Sequence, residues 1–393
     1  MKTLDDLKDI KDKQVLLRLD LNVPVDDNGN ITDTTRIDRV KDTVIELRNK
    51  GAKIAILSHF GRPKGQKNMD YSLSFLPPAL EKQWGVDVTF TPDCCAHPNG
   101  DITLMENVRF YEGEEKNDPE FVAKIAGGVG DLFINDAFSA SHRAHGSTEG
   151  LAHSLPAYAG RALERELNAL DMALGNPDKP VVAIVGGAKI STKLDVLNNL
   201  VEKVDVLVLG GGMANTFLYA AGMDMGQSLC EKDMKDQVFA ILDKAADHGC
   251  DVFIPQDGKA ATEFKADAPY DVVSMTAIPN DRMILDIGAA AIDSIGEMLA
   301  QCKTVVWNGP LGAFEISPFD EGTIAVARKV AALVNSGELK VIAGGGDTVA
   351  ALSRAGVVDD MTYVSTAGGA FLEWLEGKTL PAIAALDFED EGG

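Results

Sequence analysis

The sequence lacks any hydrophobic run long enough to cross a membrane. Its longest apolar stretches, such as 181–185 and 204–209, fall far short of the ~18 residues a span requires. The start, 1–14, is charged throughout and has no apolar segment of the signal-peptide kind. Cysteine is scarce as well: five residues, an odd number, with no C-x-x-C spacing, suggest neither a disulfide framework nor a zinc site and fit a reducing compartment. Cys94 and Cys95 are adjacent; two free thiols in a turn is the expectation, with a redox pair as the alternative. Basic residues are outnumbered 37 to 60, and the net charge of −23 argues against nucleic acid or an anionic membrane as partner. Solenoid repeats and low-complexity tracts are missing too. The expectation is a soluble, cytoplasmic protein.

What is present is an ordinary globular composition, 45% apolar and 25% charged, spread over 393 residues. That is too long for one hydrophobic core, so two domains of similar size are expected. Short aliphatic runs at 15–19, 53–57, 131–135, 181–185, 204–209, 251–254, 304–307 and 340–343 read as buried parallel strands. Helical patterns separate them. In 37–50, for example, Ile37, Val40, Val44 and Leu47 recur at helical spacing before Gly51. Alternation of strand and helix predicts parallel sheets covered on both faces. In 161–174, Leu163, Leu167, Leu170 and Leu174 share one helical face, and Gly175-Asn176-Pro177 ends it. This helix, 161–175, is the expected connector between a domain at 1–160 and another at 176–379. The acidic end, 387–393, reads as a solvated tail.

Ligands of open α/β sheets bind beyond the carboxyl ends of the strands. In the first half those ends carry polar and cationic groups: Asp20 and Asn22 after 15–19, His59, Gly61 and Arg62 after 53–57, Arg109 after Leu104-Met105-Glu106-Asn107, and Arg143 after 131–135. Arg36 precedes the first helix. If the strand ends lie side by side, Arg36, His59, Arg62, Arg109 and Arg143 converge, and the arginine fork suits carboxylate and phosphate. Each arginine taken alone reads first as a surface or structural ion pair; it is the set at successive strand ends of an acidic chain that points to an anion. His142-x-x-His145 has metal-ligand spacing on a helix but no third ligand nearby, so hydrogen bonding or loop packing is expected there instead.

In the second half the strand ends are glycine-rich: Gly186-Gly187-Ala188-Lys189 through Lys193, Gly210-Gly211-Gly212, Gly344-Gly345-Gly346-Asp347-Thr348, and Ala367-Gly368-Gly369. Glycine lets the backbone approach a phosphate, and the following helix offers free N–H groups. Lys189 and Lys193, four apart, are expected on one helical face; Asp347 is placed as a hard oxygen ligand for Mg²⁺. Two familiar signatures fail. Gly377-Lys378-Thr379 lacks the earlier glycine of a Walker A motif, with Leu372 in its place. The Gly210-x-Gly212 and Gly344-x-Gly346 loops lack the third glycine of a dinucleotide fingerprint, with Asn215 and Val349 there. A nicotinamide-dependent dehydrogenase and a catalytically silent anion-binding protein stand as rival readings.

Taken together the motifs resemble those of phosphoglycerate kinases. The match runs in order through Arg18-Leu19-Asp20-Leu21-Asn22-Val23-Pro24, Ser58-His59-Phe60-Gly61-Arg62-Pro63, Glu106-Asn107-Val108-Arg109-Phe110, Asn135-Asp136-Ala137-Phe138 and His142-Arg143-Ala144-His145. It continues with Gly186-Gly187-Ala188-Lys189, Trp307-Asn308-Gly309-Pro310, Phe314-Glu315 and Gly344-Gly345-Gly346-Asp347-Thr348. The resemblance implies an α/β fold of two Rossmann-like parallel-sheet domains joined by a connecting helix, with the tail 380–393 returning to the N-terminal domain, and a monomer. It implies that Asp20, Asn22, Arg36, His59, Gly61, Arg62, Arg109 and Arg143 hold 3-phosphoglycerate or 1,3-bisphosphoglycerate. It also implies that Lys189, Lys193, Glu315, Gly345, Gly346, Asp347 and Thr348 hold ATP or ADP, with Asp347 near Mg²⁺ and Glu315 on the ribose. Arg36, Lys189, Lys193, Gly368 and Gly369 would stabilise the transferring phosphoryl group, and closure about the connecting helix would be required. The chain departs from the family pattern at Ile284, Ala289 and Ala367; the first two are expected on the nucleotide pocket wall.

Overall fold

In the computed structural model, which describes residues 1–387, the buried aliphatic runs pair as strands of two separate parallel sheets, and the chain divides into two compact units. The first unit comprises Met1–Leu167 with Thr379–Gly393, and the second Asn168–Lys378. Of the acidic tail, 388–393 lies outside the described residues. Among the described residues no helix is long and apolar enough to cross a membrane.

The first sheet contains β1 (Gln14–Leu19), β2 (Lys53–Leu57), β3 (Thr89–Thr91), β4 (Ile102–Met105), β5 (Leu132–Asp136) and β6 (Ala157–Ala159) in the order β3-β4-β2-β1-β5-β6, all parallel. Alternation along β1 sends Val15, Leu17 and Leu19 into one core with Ile54, Ile56 and Ile134, under Val44, Leu47, Leu80 and Trp84 of the covering helices. The helical pattern at 37–50 is not one helix. It breaks at Val40 into Thr35–Arg39 and Lys41–Asn49.

The second unit contains β7 (Val181–Gly186), β8 (Val206–Gly210), β9 (Asp251–Phe253), β10 (Asp257–Ala261), β11 (Tyr270–Ser274), β12 (Met283–Ile287), β13 (Thr304–Asn308), β14 (Lys340–Gly344) and β15 (Tyr363–Ser365). Six form a parallel sheet in the order β15-β14-β13-β7-β8-β9, and β11-β10-β12 form a small antiparallel sheet that the apolar-run pattern did not predict. Its middle strand is buried but opens Asp257-Gly258-Lys259 and has no large aliphatic residue, and its β11 is mostly exposed, so neither shows the pattern of a buried aliphatic run. The predicted helix at 161–174 is regular over Arg161–Leu170 and finishes in a π turn over Asp171–Gly175.

The start of that helix is anchored by one carboxylate. Asp136, at the end of β5, accepts hydrogen bonds from the Leu163 N–H (2.8 Å) and the Thr43 hydroxyl (2.6 Å). Thr43 in turn accepts the Arg161 N–H at 2.9 Å, and the Arg161 guanidinium pairs with Glu46 at 2.8 Å. Burial pushes the Asp136 carboxyl up to about 6, partly offset by these donors. At neutral pH it is therefore an ionised acceptor facing only donors. Asp136→Asn replaces one acceptor oxygen with a donor and is expected to cost about 1–3 kcal/mol of stability, read as a lower urea midpoint. An unchanged midpoint contradicts the anchoring role.

Candidate active site

Parallel register brings the carboxyl ends of β1, β2, β4 and β5 to one edge of the first sheet. Asp20 follows β1 there. Its carboxylate accepts from the Arg36 guanidinium, the Ser139 hydroxyl and the Asn22 N–H, the last at 3.1 Å. Burial pushes this carboxyl up, but His59, Arg36, Ser139 and the Asn22 N–H outweigh it and hold the group below the usual carboxylate range. Arg36 is the permanent positive charge among them, because His59 is itself uncharged. Burial, reinforced by the Arg18 guanidinium, pushes the His59 imidazole well below its ordinary value. Arginine can only donate, so Nδ1 of His59 accepts from Arg18 Nη2 at 3.0 Å. The expectation of a cationic His59 is thus corrected: it contributes a neutral ring.

Arg18 is fully buried, and its Nε donates to the Ser147 hydroxyl at 2.9 Å. Ser147 is held by Glu114, which accepts its N–H (2.8 Å) and its hydroxyl (2.7 Å). Neither Arg18 nor Glu114 stands out in the sequence as a site-building group. A signal for Arg18 is nonetheless there: an arginine inside an otherwise apolar buried strand must find partners.

Arg109 joins the same edge. Its Nη1 donates to the Gly61 carbonyl at 2.9 Å, and the Gly61 N–H donates to Asn22 Oδ1 at 3.0 Å. Gly61 sits at φ +60°, and a Cβ there would stand 2.3 Å from the Tyr71 ring, so only glycine fits. Arg62 is exposed, has no ion-pair partner among the described residues, and lies close enough to Arg109 to act on its charge. His145 is pushed down to about 4 by burial and then by Arg109, Arg18 and Arg143, so the exposed Arg143 belongs to the same positive field. His142 and His145 lie in a turn before the π turn Gly146–Gly150, not on a helix as the spacing suggested. Among the described residues neither belongs to a group of metal-ligating side chains.

In the second unit the loops after β7 and β13 interlock. A Cβ on Gly186 would fall 1.8 Å from the Pro310 carbonyl oxygen, and one on Gly309, at φ +114°, 2.1 Å from the Gly186 oxygen. Lys193 Nζ sits in this junction, donating to the Gly186 carbonyl (2.9 Å), the Asn308 carbonyl (3.0 Å) and Asn308 Oδ1 (2.6 Å). Burial pushes Lys193 down to about 8, against the pull of the Asp347 carboxylate. Lys189 does not share a helical face with Lys193. Both are non-helical and flank one short 3₁₀ turn, Ile190–Thr192, and Lys189 is exposed.

A cavity of about 500 Å³ opens beside this junction. Its lining includes Gly187, Gly212, Ile284, Pro310, Glu315 and Asp347. Apolar residues that the sequence motifs do not flag, Leu229, Phe264, Met275, Met283 and Leu311, form much of the wall. They come from separate loops and the small antiparallel sheet, so no local motif announces them. Ile284 lines the cavity as expected, whereas Ala289 does not; it opens the helix Ala289–Leu299. Gly345, Gly346 and Thr348 do not line it either. The Thr348 hydroxyl is buried and accepts the Gly309 N–H at 2.7 Å. Asp347 is exposed in the first turn of the helix Gly346–Ala355. Gly368 and Gly369 begin the helix Gly368–Leu375, where N–H groups lack intrahelical acceptors.

The first edge can hold an anion by arginine forks, and the second can hold a flat apolar group in the cavity with phosphates beside Lys193 and Asp347. Known proteins resemble this chain over nearly its whole length. Residues 4–378 match the family model described as phosphoglycerate kinase. A phosphoglycerate kinase of Sinorhizobium medicae strain WSM419 is 58% identical over 394 residues, covering 98% of each chain. One of Rhodospirillum centenum is 58% identical over 394 residues, covering 98% of this chain and 99% of its own. The solved structure of phosphoglycerate kinase from Coxiella burnetii superposes with a TM-score of 0.92 at 42% identity, over 98% of both chains. That from Pyrococcus horikoshii OT3 gives 0.76 at 28% identity, again over 98% of both.

Because Lys193 is charged only below about 8, affinity for pyrophosphate as a bare polyphosphate probe is expected to fall as pH rises through that value. Calorimetric titration at pH 7 and at pH 9.5 checks this, with Lys193→Met flattening the difference. A profile equally steep in the variant contradicts the assignment.

Proposed function

The chain belongs to the phosphoglycerate kinase family, and from that premise we propose how its residues carry the reaction. The reaction is the reversible glycolytic transfer of a phosphoryl group from 1,3-bisphosphoglycerate to ADP, giving 3-phosphoglycerate and ATP. In the proposal the first unit holds the three-carbon acid. Arg36, Arg62, Arg109 and Arg143 neutralise its carboxylate and phosphate, while Asp20, Asn22, His59 and Gly61 fix the geometry around them. The second unit holds the nucleotide. The base occupies the apolar cavity, Glu315 meets the ribose, and Lys189, Lys193 and the backbone at Gly345, Gly346 and Thr348 face the phosphates. The observation that carries this reading is the division of labour: a positive, fork-lined edge on one unit and an apolar cavity rimmed by Glu315 and Asp347 on the other. The cytoplasm as compartment and a monomer as the working form belong to the same proposal.

Asp347 fits a hard divalent cation, since its exposed carboxylate offers oxygen donors at a helix start beside the phosphate-facing lysine. Mg²⁺ held there with the nucleotide would neutralise phosphate charge. The chain's own residues do the rest by positioning and charge stabilisation. The acceptor in the ATP-consuming direction is a carboxylate, which ordinarily titrates near ~4 and is ionised at neutral pH, so no general base is needed. Arg36, Lys189, Lys193 and the N–H groups of Gly368 and Gly369 are aimed at charge on the group in flight. Orienting two substrates can supply ~7–11 kcal/mol of the barrier. Each substrate has its own unit, so the proposal requires a closure that brings the two in line.

Arg36→Ala is expected to lower kcat by about 10²–10³-fold, with a much smaller rise in KM for 3-phosphoglycerate. A KM defect at unchanged kcat removes Arg36 from the transition state. Asp347→Ala is expected to weaken MgATP binding in a direct titration while leaving 3-phosphoglycerate affinity unchanged. Equal MgATP affinity in this variant refutes the metal role.

A further inference from the structure

We propose that Asp93, Cys94 and Cys95 form a chelating site for a thiophilic divalent cation of the Zn²⁺ or Cd²⁺ class. The three residues follow β3 in a turn of the first unit, and one donor atom from each lies within 4.8 Å of the other two. The two sulfurs are 3.8 Å apart. A disulfide needs them at ~2.05 Å, with Cα atoms usually at least ~4.4 Å apart, which exceeds the ~3.8 Å between neighbouring residues of one chain. Two thiolates bound at ~2.3 Å to a tetrahedral ion stand ~3.8 Å apart. The turn therefore holds the separation of a dithiolate chelate, not that of a disulfide.

The carboxylate is held in place by its neighbours. Asp93 Oδ1 accepts the Tyr111 hydroxyl at 2.6 Å and the Cys95 N–H at 2.9 Å, which leaves Oδ2 for an ion. Ligating carboxylates carry outer hydrogen bonds of this kind. Tyr111 is itself anchored, its ring stacked on Phe121 with centroids 5.3 Å apart. Cys94 is buried, Cys95 half-buried and Asp93 exposed, so the group is reached by solvent from the Asp93 side. Both thiols give up their protons when the ion binds, since the thiolate is the ligating form. Binding exchanges two thiol protons for one cation and changes no oxidation state. Cys230, Cys250 and Cys302 belong to no such group among the described residues. The sequence rules missed the site because they count C-x-x-C pairs, whereas here adjacent residues converge through a turn.

The test is a titration of the reduced full-length chain with Cd²⁺ in excess Mg²⁺, read by equilibrium dialysis, thiolate-to-metal absorbance and proton release. One tight equivalent per chain is expected, with about two protons released and no displacement by Mg²⁺. Cys95→Ser alone and Cys94→Ser/Cys95→Ser together are expected to lose that equivalent while turnover and far-UV dichroism stay unchanged. Tyr111→Phe is expected to weaken binding about tenfold. A tight equivalent that survives in both cysteine variants, or binding without thiolate absorbance in the unmodified chain, overturns the proposal.

Discussion

Parallel pairing sends the carboxyl ends of neighbouring strands to one edge of a sheet, and everything polar in this molecule depends on how the backbones crowd there. In the second unit the crowding is close enough that Gly186 and Gly309 leave no room for a Cβ. That approach places three carbonyl or amide oxygens around Lys193 Nζ and opens the cavity beside it. In the first unit the same constraint is met by side chains. Asn22, Gly61 and Arg109 are tied in one line of hydrogen bonds across loops that follow β1, β2 and β4.

Charge is the second organising quantity. A chain with a net charge of −23 nevertheless gathers arginines at one edge, at some desolvation cost. Beneath that edge lies a buried layer of Arg18, His59, Ser147 and Glu114. Fully satisfied polar layers of this kind hold the groups above them in place, whereas a partner left alone there would cost several kcal/mol. Keeping His59 neutral matters to this arrangement, because another positive charge beside Arg18 would work against the packing.

Much of this is legible in the amino-acid sequence. β1, β2, β7, β13 and β14 lie where aliphatic runs predict them, because a strand buried on both faces has no choice but a continuous apolar sequence. The antiparallel sheet is not legible: its strands are polar, exposed or bulged, and they are held by one another. The break at Val40 is hidden for the opposite reason, since apolar spacing continues across it. At the site, residues inside long motifs such as Arg109 and Asp347 can be named from the sequence. The apolar cavity wall cannot, because Leu229, Phe264 and Met283 meet only in three dimensions. Spacing also misleads twice. Lys189 and Lys193, like His142 and His145, have helical intervals but stand on turns.

The central claim is that the two edges serve one transfer between two substrates. Its most direct test measures ADP formed from MgATP in the presence of 3-phosphoglycerate, with each substrate and Mg²⁺ omitted in turn. The account predicts turnover that needs both substrates and the metal. Both ligands binding with no turnover, or ATP hydrolysis indifferent to 3-phosphoglycerate, would contradict it.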